Sequence, residues 1–247
     1  MGVIVITGGS RGIGAAAAVE CARQGFGVIL TYRDNERAAR SVVARIEATG
    51  GRAVALPLDV ADLGSFAGFR SAVQQKLEAV WNETALAGLV NNAGWGAFEL
   101  IEQVTPEQFD AVLGVHLKGP FFLTQALLPL LRDGAGIVNV TSATTRVATA
   151  GVAPYAACKG ALEVLTRYMA KEFGPRGIRA NAVSPGAIRT ELAGGISAEF
   201  EQVLASQTAL GRVGEPEDVG RVIANLLSAQ GGWINAQTIE VAGGYMI

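Results

Sequence analysis

Histidine is almost missing: His116 is the only one in 247 residues, so any proton transfer by an imidazole falls to one position. Cysteine is nearly as scarce. Cys21 and Cys158 make neither a disulfide framework nor a metal-ligand cluster, and no metal site is expected. So few thiols suit a reducing compartment, and a cytoplasmic protein is expected. Positive charge is not in excess either. Twenty Lys and Arg against 22 Asp and Glu leave a net charge of −2, with no basic footprint for nucleic acid and no polybasic stretch for an anionic membrane. No uninterrupted apolar run reaches the roughly 20 residues that span a bilayer. The opening MGVIVITGGSRGIG lacks a basic n-region, and its apolar run stops at Thr7-Gly8, unlike a signal peptide. Linkers, repeats and low-complexity segments are absent too, so residues 1–247 are expected to form one soluble domain.

What is present is half hydrophobic and only 17% charged, enough for a sizeable core. Short β-branched runs alternate with longer helical patterns. VIVITGG reads as a buried strand before a helix, GIGAAAAVECARQG, that stops at Gly25. GVILTYR, RAVALPLDV, LAGLVNNAG, GIVNVTS, IRANAVSPG and TIEVAGG continue the strands. Helices are expected within NERAARSVVARIEATGG, from Ala61 to Val80, from about Thr105 to Leu131, and from Pro154 to Phe173. Strands that are apolar throughout and separated by helices give a parallel sheet covered on both faces. The expected class is α/β: a single doubly wound, Rossmann-type domain of about seven strands.

TGGSRGIG lies between the first strand and first helix, at the carboxyl edge where such sheets bind ligands. Gly8, Gly12 and Gly14 leave no side chains between backbone and ligand, and the helix behind them offers N–H groups to a pyrophosphate. The spacing departs from G-x-G-x-x-G, so plain turn geometry stays open beside a nucleotide site. Gly8-Gly9-Ser10-Arg11-Gly12 also matches the G-x-S-x-G elbow of serine hydrolases, with Ser10, Asp59 and His116 as a conceivable triad. Against it, an elbow on the first strand has little upstream sequence to supply an oxyanion loop.

PYAACKG places Tyr155 and Lys159 four apart near a helix start, on one face. Tyrosine alone is a poor acid or base at neutral pH, and a nearby ammonium favours its phenolate. Ser142 ends the GIVNVTS strand, within reach of the same crevice, where its hydroxyl can polarise a carbonyl. Singly, each of these reads equally well as a surface side chain.

Thr7-Gly8-(x)3-Gly12-Ile13-Gly14, Asn91-Asn92-Ala93-Gly94, Ser142, Tyr155-(x)3-Lys159 and Pro185-Gly186 together resemble the short-chain dehydrogenase/reductases. The resemblance runs through LGRVGEPEDV to the closing VAGG, in length and motifs close to the 3-oxoacyl-carrier-protein reductase branch. It implies reduction of a carbonyl, a ketone or 3-oxoacyl group, to a secondary alcohol by hydride transfer from a nicotinamide. It makes Tyr155 the general acid, has Ser142 hold the carbonyl, and has Lys159 bind the nicotinamide ribose and depress the tyrosine pKa. Gly8, Ser10, Arg11, Gly12, Ile13 and Gly14 take the phosphates. Asp59 and Val60 resemble the pair that contacts adenine, and Asn91, Asn92, Ala93 and Gly94 the turn that lines the adenine side and steadies the central sheet. Pro185, Gly186, Ile188 and Thr190 belong to the segment that holds the carboxamide and phosphates. Tyr155 and Lys159 thus serve both cofactor and catalysis. A cofactor-binding sensor without catalysis is the other reading, and the intact Ser142, Tyr155 and Lys159 weigh against it.

NAD-selective members place a carboxylate after the second strand; here Tyr32 takes that place, followed by Arg33, with Arg11 nearby. Two guanidinium groups suit a 2′-phosphate, so NADPH is the expected cofactor, with Asp34 the one feature that favours NAD. Trp95, Phe98, Val147, Val152, Leu192 and Phe200 are expected either as walls for an apolar small molecule or as core and lid residues, and the substrate loop at about 190–212. Arg132 followed by Asp133 is no basic patch for an acidic carrier, and Arg176 and Arg179 do not decide the point. The apolar helices around FFLTQALLPLL imply a homo-oligomer, as in the family's tetramers. His116 stands where most members have an asparagine at a break in the long helix, which Gly114, Gly119 and Pro120 fit. It is expected as a catalytic relay residue, or as a satisfied core residue.

Overall fold

The computed structural model describes residues 2–96, 98–191, 194–195 and 197–247. Seven parallel strands form one sheet: β1 Val3–Ile6, β2 Gly27–Tyr32, β3 Ala53–Pro57, β4 Leu86–Asn91, β5 Leu131–Val140, β6 Arg179–Pro185 and β7 Thr238–Val241. Their spatial order is β3-β2-β1-β4-β5-β6-β7. The chain winds outward from β1 in one direction, then returns to β4 on its other side. That reversal opens a crevice above the carboxyl ends of β1 and β4. The sheet is the doubly wound one expected.

Alternation along each strand divides the core into two layers. Ile4, Ile6, Val28, Leu30 and Val138 face α1 (Gly12–Arg23), α2 (Glu36–Glu47) and α8 (Pro216–Leu227). Val3, Val5, Ile29, Leu89 and Ile137 face α3 (Phe66–Lys76), α5 (Gly119–Leu127) and α6 (Ala153–Phe173). Each fully buried Ile or Leu contributes about 1.5–3 kcal/mol relative to exposure. Because both faces are filled, the strands read as continuous apolar runs, and the ligand crevice is left to the loops.

The helical stretch expected from Thr105 to Leu131 has internal structure. Thr105 caps α4 (Pro106–Leu113) through a reciprocal bond pair with Gln108. A π turn over Gly114–Lys118 follows, then α5, whose first turn carries Pro120 without a backbone donor. Leu131, expected to end this helix, is instead the first residue of β5. By length and composition alone, Pro106–Leu130 would suffice to cross a bilayer, contrary to the reading of the sequence. Here it covers the sheet, with Val115, Leu123 and Leu127 buried in the second core layer. Two helices escaped the sequence reading: α7 (Ala198–Ser206), capped by Ser197, and α8, capped by Glu215 and Asp218.

Candidate active site

The crevice over β1 and β4 is a cleft of about 540 Å³. One end is the turn between β1 and α1. Thr7 Oγ1 donates to Val90 O (3.2 Å) and accepts from the amides of Asn92 (2.9 Å) and Ala93 (3.0 Å). Asn92 Nδ2 donates back to Thr7 O (2.9 Å) and Gly8 O (3.2 Å), so the two loops are fastened together. Gly14 is required by this closure: a Cβ there would stand 2.3 Å from Gly8 O. No side chain caps the N-terminus of α1, unlike α2, where Asn35 does so. Backbone N–H groups at such an end, with the helix dipole behind them, suit a phosphate.

Of the residues expected to hold a cofactor, Gly8, Ser10, Arg11, Gly12, Ile13, Gly14, Tyr32, Arg33, Asp59, Val60, Asn92, Ala93, Gly94, Tyr155, Lys159, Pro185, Gly186, Ile188 and Thr190 line this cleft. Asn91 does not. Its side chain points into the core, where Nδ2 donates to Thr124 Oγ1 (3.1 Å) and Asn139 Oδ1 (2.8 Å). Strand alternation explains the difference, because Asn91 still belongs to β4 while Asn92 begins the loop. Asn91 ties the sheet to α5 and is corrected from a cofactor contact to a supporting residue.

The far end of the cleft holds Ser142, Tyr155, Lys159 and His116 together. Ser142 follows β5, and its Oγ accepts from Thr144 N (3.2 Å) and Thr144 Oγ1 (3.0 Å). Tyr155 and Lys159 sit on the first turns of α6, with the Lys159 ammonium 5.5 Å from the centre of the Tyr155 ring. Lys159 is buried and donates to Val140 O (2.7 Å). Burial lowers its pKa to about 8, partly offset by Cys158. Burial raises the pKa of Tyr155, and a hydrogen bond with Ser142 works against that rise. Within the protein alone burial is the larger influence on Tyr155, and the expected depression by Lys159 does not enter it.

His116 lies in the π turn, 2% exposed, its ring edge-on to Tyr155 at 4.9 Å between centres. Nε2 is 2.9 Å from Trp95 O. A carbonyl only accepts, so the neutral ring carries its proton on Nε2 and leaves Nδ1 as an acceptor, buried and without a partner among the described residues. Burial and the neighbouring Lys159 push the His116 pKa down to about 3. Neither nitrogen bonds Ser10 or Asp59, and Asp59 Oδ1 accepts from Ala61 N (2.9 Å), so no hydrolase triad is assembled.

Both arginines expected near a ribose phosphate are solvent-exposed and lightly engaged. Arg33 pairs with Asp34 at 2.6 Å, and Arg11 with Glu191 at 3.5 Å. Of the apolar candidates, Trp95 lines the cleft, whereas Val147 is buried beside the core. Phe98 and Phe200 are 66% and 52% exposed and do not line the cleft. Val152 is half-buried ahead of α6, and Leu192, like part of the expected substrate loop, lies outside the described residues. Cys158 is a buried thiol whose pKa burial raises, which fits packing rather than reactivity. Arg176 is spent on Asp133, Leu128 O and Leu131 O, and Arg179 on Leu226 O and Gly231 O. These bonds leave them bracketing the fold.

Residues 8–246 match the enoyl-(acyl carrier protein) reductase family. An uncharacterized oxidoreductase of Methylorubrum extorquens is 38% identical over 98% of this chain and 96% of its own length. Versicolorin reductase 1 of Aspergillus parasiticus is 36% identical over 98% and 95%. The crystal structure of the angucycline C-6 ketoreductase LanV with bound NADP superimposes with a TM-score of 0.94 at 35% identity, over 99% of this chain and 95% of that one.

Proposed function

The chain belongs to the short-chain dehydrogenase/reductase family of oxidoreductases, and from that premise we propose that it is an NADPH-dependent ketoreductase. The observation that carries this reading is the convergence of Ser142 and Tyr155 at one end of a cleft whose other end is an uncapped helix N-terminus. Two hydroxyl donors meeting at one place fit the single oxygen of a ketone. They have less to offer a carbon–carbon double bond, and the relatives named for reducing keto groups favour the ketone too.

The dinucleotide fits the residues present: the α1 amides and Ser10 would hold its phosphates, Lys159 its ribose, and Arg11 and Arg33 a 2′-phosphate. When bound, it supplies the hydride that reduces the carbonyl carbon. Ser142 Oγ–H donates to the carbonyl oxygen and polarises it. The Tyr155 phenol gives its proton to the same oxygen as negative charge develops there, leaving a phenolate. Lys159, whose pKa near 8 keeps much of it cationic at neutral pH and whose Nζ is 5.5 Å from the centre of the Tyr155 ring, stabilises that phenolate. Trp95 in the cleft lining favours an apolar or aromatic ketone. The engaged Arg176 and Arg179 leave no basic patch for an acidic carrier.

The test is NADPH oxidation with a panel that includes aryl ketones, aliphatic ketones and an acyl thioester. Turnover is expected with ketones, and Tyr155→Phe should lose at least about 100-fold in kcat while still binding cofactor. A parent enzyme that oxidises NADPH with none of the panel, or a phenylalanine variant that keeps a tenth of the activity, would overturn the reading.

A further inference from the structure

The segment after β7 crosses back to the residues that follow α7. It lies antiparallel to the residues that leave α7, pairing Thr208 with Tyr245. Ala209 N donates to Gly244 O (3.2 Å), Leu210 N to Gly243 O (3.1 Å) and Met246 N to Gln207 O (2.9 Å). From the opposite side, one guanidinium grips the same segment. Arg146 Nη1 donates to Met246 O (2.9 Å) and Nη2 to Tyr245 O (2.7 Å). Nε and Nη2 also fork onto the Glu240 carboxylate at 3.0 and 2.6 Å. Planar, multiply bonded arginine sites of this kind are not reproduced by another cation.

Arg146 stands four residues after Ser142, at the end of a single tight turn. Within that turn Thr145 N donates to Ser142 O (3.1 Å), and Arg146 N to Ala143 O (3.0 Å). Thr145 Oγ1 donates to Ser142 O (3.0 Å), and its separation from Glu163 Oε1 on α6 is 2.9 Å. Helix α7, within the stretch expected as the substrate loop, is tied at its start, where Arg189 reaches Glu201 and Glu215. Its exit is tied by the segment after β7. A chain of hydrogen bonds therefore runs from the Ser142 turn through Arg146 and residues 243–246 to the end of α7.

We propose that Arg146 is a positioning residue that, through residues 243–246, fixes the Ser142 turn relative to α7, which lies within the stretch expected as the substrate loop. This rests on the ketoreductase reading and adds a determinant of substrate fit that touches neither cofactor nor reacting atoms. Losing the fork frees the Ser142 turn from α7, so the ketone is held less well while the phosphate end of the cleft is unaffected. Misplacement by about 1 Å is enough to cost up to ~100-fold in rate.

The experiment compares the parent with Arg146→Met, Arg146→Lys and the milder Glu240→Gln. It measures NADPH Kd, KM and kcat for a ketone, and amide hydrogen exchange. For Arg146→Met, NADPH Kd should stay within about twofold while kcat/KM falls at least about tenfold, mostly through KM. The amides of Ala209, Leu210 and Met246 should exchange at least about tenfold faster, together with those of Thr145 to Val147. The lysine and glutamine variants should fall between. A kcat/KM within about twofold of the parent despite faster exchange would overturn the proposal. So would faster exchange at 209–210 with none at 145–147. If the parent reduced no ketone at all, the ketoreductase reading would fail, and linked exchange of the two segments would still decide whether Arg146 couples them.

Discussion

His116 is a buried side chain that does not titrate in the working range. Its folded pKa of about 3 lies far below the ordinary 6.5, so the ring is neutral throughout the working range. It offers a fixed donor to Trp95 O and a fixed acceptor at Nδ1, and a Cβ on Gly94 would come within 2.8 Å of its Cε1. Asparagine carries the same pair of functions on a smaller group. His116→Asn should therefore keep kcat within about threefold, and His116→Ala should lose at least about tenfold, between pH 5 and 9. Stability should respond differently. The folded state binds fewer protons than the unfolded one between the two pKa values, so His116 stabilises fully above pH 6.5 and loses its contribution as pH falls toward 3. Acid titration of the melting temperature should show a shallower fall for His116→Asn than for the parent over that window. Equal acid sensitivity, or an asparagine variant as inactive as Tyr155→Phe, would show that imidazole chemistry itself is needed.

Among the elements, the exit of β2 and the β1–α1 turn are where the proposed preference for NADPH is tested. Arg33 and Arg11 are each paired with a carboxylate on the surface, and such exposed pairs are worth at most about 1 kcal/mol. A phosphate dianion can displace them at small cost. Arg33→Ala should raise the KM for NADPH by about tenfold and leave that for NADH within twofold, in steady-state kinetics with one ketone. Equal efficiency of the parent with both cofactors would defeat the assignment. This turn was legible because glycine spacing and strand position are local. The break in the long helix was legible only through Gly114, Gly119 and Pro120, since the apolar periodicity runs on through a π turn. Where that helix gives way to β5 was not, because LLRDG carries no helix stop that excludes a strand beginning at Leu131. Asn91 was misread because the motif it belongs to straddles the end of β4, where one residue's step turns a side chain from cleft to core. The start of α8 was marked by Glu215-Pro216 and Asp218, a capping signal that could have been used. The bonds made by Arg146 join residues about 100 apart, a separation that no local pattern encodes.

At the scale of the whole molecule, the second helical layer buries one side on the sheet and leaves the other apolar. Phe109, Phe121 and Phe122 on α4 and α5, with Val164 and Tyr168 on α6, are between 38% and 61% exposed. The Phe121 and Phe122 rings meet edge-on at 5.0 Å, forming an aromatic surface with nothing over it. Trp233, fully exposed, and Ile247, 93% exposed, lie elsewhere, ahead of β7 and beyond it. β7 is also an edge strand, a ready place for a second sheet to approach. We propose two separate self-contacts, which by closed symmetry would build the expected homotetramer from two kinds of dimer. Phe121→Glu with Tyr168→Glu should remove one contact, and Trp233→Glu should weaken the other. Sedimentation velocity at micromolar concentration should then give dimers for either variant, and monomers when the substitutions are combined, with circular dichroism unchanged. A parent that sediments as a monomer would reject the assembly. A tetramer that survives the α5–α6 pair would show that this apolar face is not where the copies meet.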